Sequence, residues 1–183
     1  DPDLPQGEGS VVVGASGPVG AVVQIRALNQ TPTSGAYSGA TAGAASVNIP
    51  LVARRGTSAQ GTVNSQIIVQ NTGTAATNVE VDLVNRDTGN KDLTKSIANV
   101  APGASQTYDL DDEAGLPAGW FGSAVVRATS ANGQVTAVSN LFLGGNAMQT
   151  FNGFSTSSNK WIAPLFTSRL TNGLSTPITV QNL

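Results

Sequence analysis

The sequence contains no cysteine and no histidine among its 183 residues. Without cysteine there is no disulfide framework, no thiolate nucleophile and no structural zinc site of the usual kind. Without histidine there is no Ser–His–Asp triad and no imidazole base, the group that most often moves protons near neutral pH. We therefore expect a protein that is not an enzyme. A chain without cysteine is also compatible with an oxidising, extracellular location.

Charged residues and long apolar runs are scarce as well. Only 11% of the residues are charged and the formal net charge is −2, which leaves no basic field for nucleic acid or an anionic membrane. No apolar run approaches the roughly 20 residues that a membrane-spanning helix needs. The chain starts at Asp1 without an initiator methionine or a leader pattern, so we expect a mature or trimmed form.

An internal repeat is the main feature that the sequence does contain. Residues 49–71 return near the C-terminus, where IPLV becomes APLF and IIVQN becomes ITVQN. The shift is 114 residues for the proline and 111 for the final asparagine, a period that fits a whole small domain rather than a solenoid coil. LPQGEGS at residues 4–10 likewise matches LPAGWFGS at residues 116–123.

The phase of this repeat predicts four parts of the chain. Residues 1–46 hold the C-terminal strands of a preceding repeat and a linker, and residues 47–143 hold one complete unit. Residues 144–160 form a second linker, and residues 161–183 hold the N-terminal strands of a following repeat. Neither end can bury its apolar face alone, because a lone pair of strands is marginal in water.

The complete unit has the periodicity of β-strands. Val79, Val81 and Leu83 alternate with acidic residues, which is typical of a half-buried strand. Six further strands are predicted, the last two as a hairpin across an Asn-Gly turn: 48–55, 66–70, 91–100, 105–110, 122–130 and 135–143. About seven strands at this spacing are typical of an immunoglobulin-like β-sandwich, so we expect an all-β fold. Two flanking strands are predicted at each end: 11–16, 19–27, 161–167 and 177–183.

The chain resembles the tandem Ig-like, cell-adhesion-related repeats of secreted bacterial surface proteins. The residues that carry the resemblance are IPLV (49–52), IIVQNTGTAATNVEVDL (67–83), PGAS (102–105), LPAGWFGSAVV (116–126) and FNGF (151–154). The resemblance implies a sandwich fold and an extracellular adhesive or structural role. It brings no catalytic residues and no cofactor.

Three groups of residues are candidate sites. Asp109, Asp111, Asp112 and Glu113 could ligate Ca²⁺ through hard oxygen atoms, or form a solvated acidic loop. Trp120 and Trp161 either close the end of a sandwich or stack on a sugar. Asn29 begins the sequon Asn-Gln-Thr and is a candidate N-glycosylation site. Each group has an ordinary structural interpretation beside the functional one.

The partial repeats suggest a subunit of an extracellular filament. Strands at one end of a chain would pair with strands at the other end of the next copy, which makes a head-to-tail polymer. The predicted assembly residues are Val11, Val12, Val13, Val19, Val23, Ile25, Ile162, Leu165, Phe166, Ile178 and Val180. Two alternatives remain open: a segment of a longer covalent array, and an adhesion module that binds cell-surface glycans.

Overall fold

The computed structural model describes residues 7–26, 34–145, 147–169, 171 and 176–182. These residues form an all-β structure of eleven strands with no helix. The strands are β1 (Val22–Arg26), β2 (Ser34–Ser38), β3 (Ser46–Arg54), β4 (Gly56–Ser58), β5 (Gly61–Asn71), β6 (Thr77–Asn85), β7 (Lys91–Val100), β8 (Ser105–Asp109), β9 (Trp120–Ala128), β10 (Val135–Leu143) and β11 (Ala147–Asn152). The all-β prediction is confirmed.

Two antiparallel sheets enclose the core. One sheet has the order β3-β9-β6-β7, and the other has the order β11-β10-β5, with β4 and β8 pairing different parts of β5. Ile49 and Leu83 from the first sheet and Ile67 and Val135 from the second are fully buried in one hydrophobic cluster. The seven strands predicted between residues 47 and 143 are all present, as β3 and β5 to β10.

The predicted hairpin of the last two strands of the unit is wrong. β9 pairs with β3 and β6, whereas β10 pairs with β5 and β11 in the other sheet. The Asn-Gly turn does form, since Asn132 has a φ of 58° and the amide of Gly133 donates to the Ser130 carbonyl. It crosses between the sheets, because both edges of β9 are already occupied.

The flanking segments also differ from the prediction. Residues 11–16 form no strand, and the strand predicted at 19–27 is reduced to β1, with Ala27 outside the described residues. The described residues of 161–167 and 177–183 form no strand either. Among the described residues, 11–16, 161–167 and 177–182 pair with no strand along their length, and a strand needs such a partner. Conversely, residues 147–152, predicted as linker, form β11 on the outer edge of β10.

Asn71 connects the end of β5 to two loops. Its side chain is fully buried, and Nδ2 donates to the carbonyls of Ala75 and Val100, both at 2.8 Å. Its Oδ1 accepts the amide hydrogen of Gly73 at 2.8 Å. One side chain therefore satisfies three backbone groups, and the repeat places an asparagine at the matching position, Asn182.

Replacing Asn71 by alanine is expected to destabilise the fold. The substitution removes the side-chain partner of the buried Val100 carbonyl, the Ala75 carbonyl and the Gly73 amide, so the free energy of unfolding should fall by about 2–4 kcal/mol. Asn90→Ala, at an exposed position, is the control and should change it by no more than about 0.5 kcal/mol. Urea denaturation measures both, and an equal effect of the two variants would contradict the role of Asn71.

Asp82 is the centre of a polar cluster on the outer face of β6. Its carboxylate accepts hydrogen bonds from Thr94 Oγ1 at 2.5 Å and from Arg127 at 2.6 Å, and Lys91 Nζ lies 3.5 Å away. Burial raises the pKa of Asp82. The hydrogen bonds from Thr94 and Arg127, together with the positive charges of Arg127 and Lys91, outweigh this effect and hold the pKa below its usual value.

The lowered pKa of Asp82 predicts acid sensitivity. The stabilisation is fully present above the unfolded-state pKa of about 3.9 and is lost as the pH falls through the lower folded-state pKa. Between about pH 5 and pH 2, the wild-type protein should therefore lose more unfolding free energy than Asp82→Asn does. Chemical denaturation at a series of pH values measures this slope. Identical slopes for the two proteins would contradict the assignment.

Candidate functional site

The hairpin β1–β2 repeats the hairpin β10–β11 in register. Val22 pairs with Ser38 as Val138 pairs with Asn152, and the following four pairs match in the same order. The glycine after each hairpin donates its amide to the carbonyl of the residue before the first pair, at 2.8 Å in both. The N-terminal hairpin is thus the last hairpin of a repeat in conformation as well as in sequence.

One neighbour of this hairpin is missing. In the complete unit the second edge of β10 pairs with β5 over nine residues. Among the described residues the corresponding edge of β1 has no partner strand, and we call it the free edge of β1. Val22, which the sequence analysis did not single out, is 76% exposed there. An unpaired edge with apolar side chains is a template for another strand.

The C-terminal segments also preserve a contact of the complete unit. In that unit the amide of Ala53, near the end of β3, donates to Ser65 Oγ of β5 at 2.9 Å. At the matching positions the amide of Thr167 donates to Thr176 Oγ1 at 3.0 Å. The amide of Thr176 also donates to the Thr167 carbonyl at 2.9 Å. These segments therefore keep the β3-to-β5 contact without forming strands.

Exposed apolar side chains concentrate in the two partial repeats. Thirteen large hydrophobic side chains are exposed in the described part of the chain: six lie between residues 11 and 23, six between 161 and 180, and the last is Phe154. Ten predicted assembly residues are in this set, and Ile25 is partly buried. The ten are Val11, Val12, Val13, Val19, Val23, Ile162, Leu165, Phe166, Ile178 and Val180. Exposed apolar surface that is grouped in this way is typical of interaction sites.

The segment before β1 touches the complete sandwich through polar contacts. Ser10 Oγ donates to the Gly103 carbonyl, and Thr107 Oγ1 donates to Glu8 at 3.0 Å. Both contacts lie at or just before β8, and they leave the side chains of residues 11–13 at least 63% exposed. The apolar face of this segment is therefore free to contact another chain.

The acidic residues predicted as calcium ligands interact with different protein partners. Asp109 accepts hydrogen bonds from Asn64 at 3.0 Å and Gln66 at 2.8 Å, which fixes it on the surface of β5. Asp111 instead forms an ion pair with Arg55 at 2.5 Å, and this hydrogen bond lowers the pKa of Asp111. Each carboxylate is engaged by its own protein partners.

The last two acidic residues differ in their surroundings. Glu113 accepts a hydrogen bond from Tyr108 Oη at 3.0 Å and lies 3.7 Å from Lys95 Nζ, while Asp112 is exposed. Burial raises the pKa of Glu113, and hydrogen bonds from Gly115 and Tyr108 outweigh it and lower the pKa. Within the ranges that the structure describes, no three acidic side chains converge on one point. Calcium binding stays a prediction.

The two tryptophans occupy different environments. Trp120 is 3% exposed, belongs to the core and donates Nε1–H to Asp92 at 2.8 Å, as expected for an aromatic that closes the sandwich. Trp161 is exposed and packs edge-to-face on Phe154, with ring centroids 5.4 Å apart. Asn29, the candidate glycosylation site, lies outside the described residues.

Comparison with known proteins adds little to this geometry. No known protein family matches the chain, and no curated protein does. Among solved structures it is similar to the crystal structure of Thermotoga maritima 1070, with 18% identity and a TM-score of 0.48 over 61% of this chain and 94% of that one. A similarity at this level carries no argument about fold or function. A search of the described residues finds no helix long and apolar enough to cross a membrane.

Proposed function

We propose that this protein is a structural subunit that assembles head to tail with copies of itself, outside the cell or on its surface. One observation carries the proposal: β1–β2 reproduces β10–β11 without its β5 neighbour, and the sequence of β5 returns at residues 178–182. The missing strand of one partial repeat is therefore present at the other end of the same sequence.

The two partial repeats have complementary content. Residues 161–167 and 176–182 match β3 and β5, whereas residues 11–16, β1 and β2 match β9, β10 and β11. In the complete unit β3 pairs with β9, and β5 pairs with β10. In a joint between two copies, each of the two sheets would therefore contain one strand pair in which the two strands come from different copies. Those exposed apolar residues of both ends that match buried positions of the complete unit, such as Val19 and Val180, would face each other between those sheets.

The energetics favour such a joint. Burying a fully exposed valine, leucine, isoleucine or phenylalanine side chain stabilises by about 1.5–3 kcal/mol, and twelve large apolar side chains are exposed at the two ends. A specific interface needs about 1,000 Å², which strands from two copies can supply. The joint lacks counterparts of residues 72–110, so it buries less than the complete unit. A contact between unlike surfaces does not close on itself and produces a fibre.

The low charge and the absence of cysteine support an extracellular site of action.

The predicted immunoglobulin-like fold is more specific than the all-β class, because it also fixes which strands share a sheet. In the seven-strand immunoglobulin arrangement the last two strands share one sheet, whereas β9 and β10 lie in different sheets. The assembly proposal requires only a unit of two antiparallel sheets and a partial repeat of that unit at each end of the chain. It involves no catalytic group and no cofactor.

Binding of cell-surface glycans is the second candidate. It requires an accessible aromatic platform, and burial of Trp120 leaves Trp161 as the tryptophan that offers one. Trp161 lies among the apolar residues of the C-terminal partial repeat, so the assembly proposal already accounts for its exposure. A glycan array on which the wild-type chain binds no glycan would remove this candidate, and equal binding by Trp161→Ala would remove Trp161 as its platform.

Electron microscopy of the purified 183-residue chain tests the assembly proposal. We expect unbranched filaments whose length increases with protein concentration, because each joint is a bimolecular contact. Single particles at every concentration would overturn the proposal and favour the interpretation that flanking repeats of a longer covalent chain complete the hairpin.

A further inference from the structure

We propose that residues 178–182 of a second copy add as an antiparallel strand along residues 19–23, which lead into the free edge of β1, in the register that β5 has on β10. This inference rests on the proposed assembly and identifies which strand binds, to which edge and in which alignment. It follows from two features of the complete unit: the pairing of β5 with β10 and the alternation of side chains along both strands.

The register follows by transfer from the complete unit. There Asn71 pairs with Val135, and the pairing continues without a bulge to Val63. Moving β5 by 111 residues and β10 back by 116 places Asn182 opposite Val19. The same shifts place Val180 opposite Ala21 and Ile178 opposite Val23, because the strands run antiparallel.

The backbone pattern identifies which of these pairs exchange hydrogen bonds. The amide of Thr72 donates to Gln134, on the β10 side of the strand, whereas the amide of Asn71 donates to Ala104, on the β8 side. Even-numbered residues of β5 thus bond to β10, and odd-numbered residues form the close, non-hydrogen-bonded pairs. After transfer, Thr179 exchanges hydrogen bonds with Val22 at the start of β1, and Gln181 does so with Gly20 just before it. Val180 and Ala21 form a close pair.

The side chains agree with this alignment. Ile67, Val69 and Asn71 are fully buried in the complete unit, and their counterparts are Ile178, Val180 and Asn182. Between these counterparts lie Thr179 and Gln181, which would face solvent as the even-numbered residues of β5 do. The apolar and polar residues of the segment therefore alternate correctly for a strand with one buried face.

Pro177 sets the start of the added strand. It occupies the position of Gln66, whose amide is directed to β10, and proline has no amide hydrogen. The pairing therefore begins at Ile178 and covers five residues. A proline at the first position of an edge strand is tolerated, and it also prevents the strand from pairing further toward its N-terminus.

Disulfide crosslinking tests the register. Because the natural chain has no cysteine, every disulfide that forms must join the introduced cysteines. Ala21→Cys and Val180→Cys are prepared as separate proteins, mixed, allowed to assemble and oxidised mildly. A close antiparallel pair has a Cα separation of about 4.5 Å, within the range of a disulfide. We expect a mixed disulfide dimer of the two variants, identified by intact mass.

The control replaces the first partner by Val22→Cys, whose side chain lies on the opposite face of the strand. It should give at least about tenfold less mixed disulfide than Ala21→Cys does. Val23→Cys with Ile178→Cys is a second matched pair, should either first variant not assemble. Assembly of every variant is measured under reducing conditions by light scattering.

The outcomes separate this inference from the proposed function. Filaments without preferential crosslinking of the matched pairs would overturn the register and leave the assembly proposal intact. Absence of assembly in the wild-type protein would overturn both. In the double variant Ala21→Cys/Val180→Cys, a disulfide within one chain would show that the strand folds back on its own β1, which contradicts binding by a second copy.

Discussion

Deletion of residues 161–183 is expected to abolish assembly and leave a folded monomer. The deletion removes the segments that match β3 and β5, so nothing remains to occupy the free edge of β1 in the next copy. The described core contains no residue after Phe151, so the complete sandwich should persist. The free energy of unfolding should stay within about 1 kcal/mol of the full-length value.

Light scattering and chemical denaturation of the truncated chain measure the two parts of this prediction. A chain truncated within residues 1–10, before the first predicted assembly residue, is the control and should still assemble. Filaments of normal length from the deletion variant would contradict the head-to-tail joint, since no other segment in the described chain repeats β5.

Val180→Asp is expected to weaken assembly by more than about 100-fold. Val180 is 84% exposed in the single chain, so the substitution costs little there, but in the joint it would occupy the buried position of Val69. Loss of the apolar burial and desolvation of a carboxylate together exceed about 3 kcal/mol, which corresponds to this factor.

Thr179→Asp is the matched control for Val180→Asp. It adds the same charge one residue earlier, on the face that corresponds to the solvent side of β5. Assembly should change by less than about tenfold, because an exposed charge interacts weakly across water. Concentration-dependent sedimentation measures both variants. Equal weakening by the two substitutions would contradict a buried position for Val180.

The sequence predicted those features of the fold that depend on local pattern. The alternation at Val79, Val81 and Leu83 identified β6 correctly because one face of that strand is buried. The Asn-Gly signal at Asn132 predicted a turn but could not predict which sheet the next strand joins. Pairing in a two-sheet fold depends on which edges remain free, and this is a property of the whole chain.

Other features left no signal in the sequence pattern. Residues 147–152 lack clear alternation, and β11 exists because β10 offers it an edge. Arg54 is 9% exposed and donates to the Leu116 carbonyl at 2.8 Å, although a charged residue at a strand end normally indicates solvent. The bond between Thr167 and Thr176 became recognisable only beside its counterpart between Ala53 and Ser65.

The candidate assembly site was predicted from the phase of the repeat. The phase indicated the two partial repeats at the ends of the chain and most of their exposed apolar residues. The sequence could not reveal that β1–β2 retains the register of β10–β11 in the absence of a third strand. That register allows the alignment of the joining strand to be stated residue by residue. The predicted strand at 11–16 was wrong because no described segment pairs with it; in the proposed joint its partner would come from another copy.

The most direct test of the assembly mixes two complementary truncations. A chain without residues 1–39 keeps the segments that match β3 and β5, and a chain without residues 161–183 keeps β1 and β2. Each alone should sediment as a monomer, since each lacks one side of the joint. An equimolar mixture should form a one-to-one complex that does not grow further. Two monomers in the mixture, at concentrations where the full-length chain assembles, would contradict the head-to-tail joint.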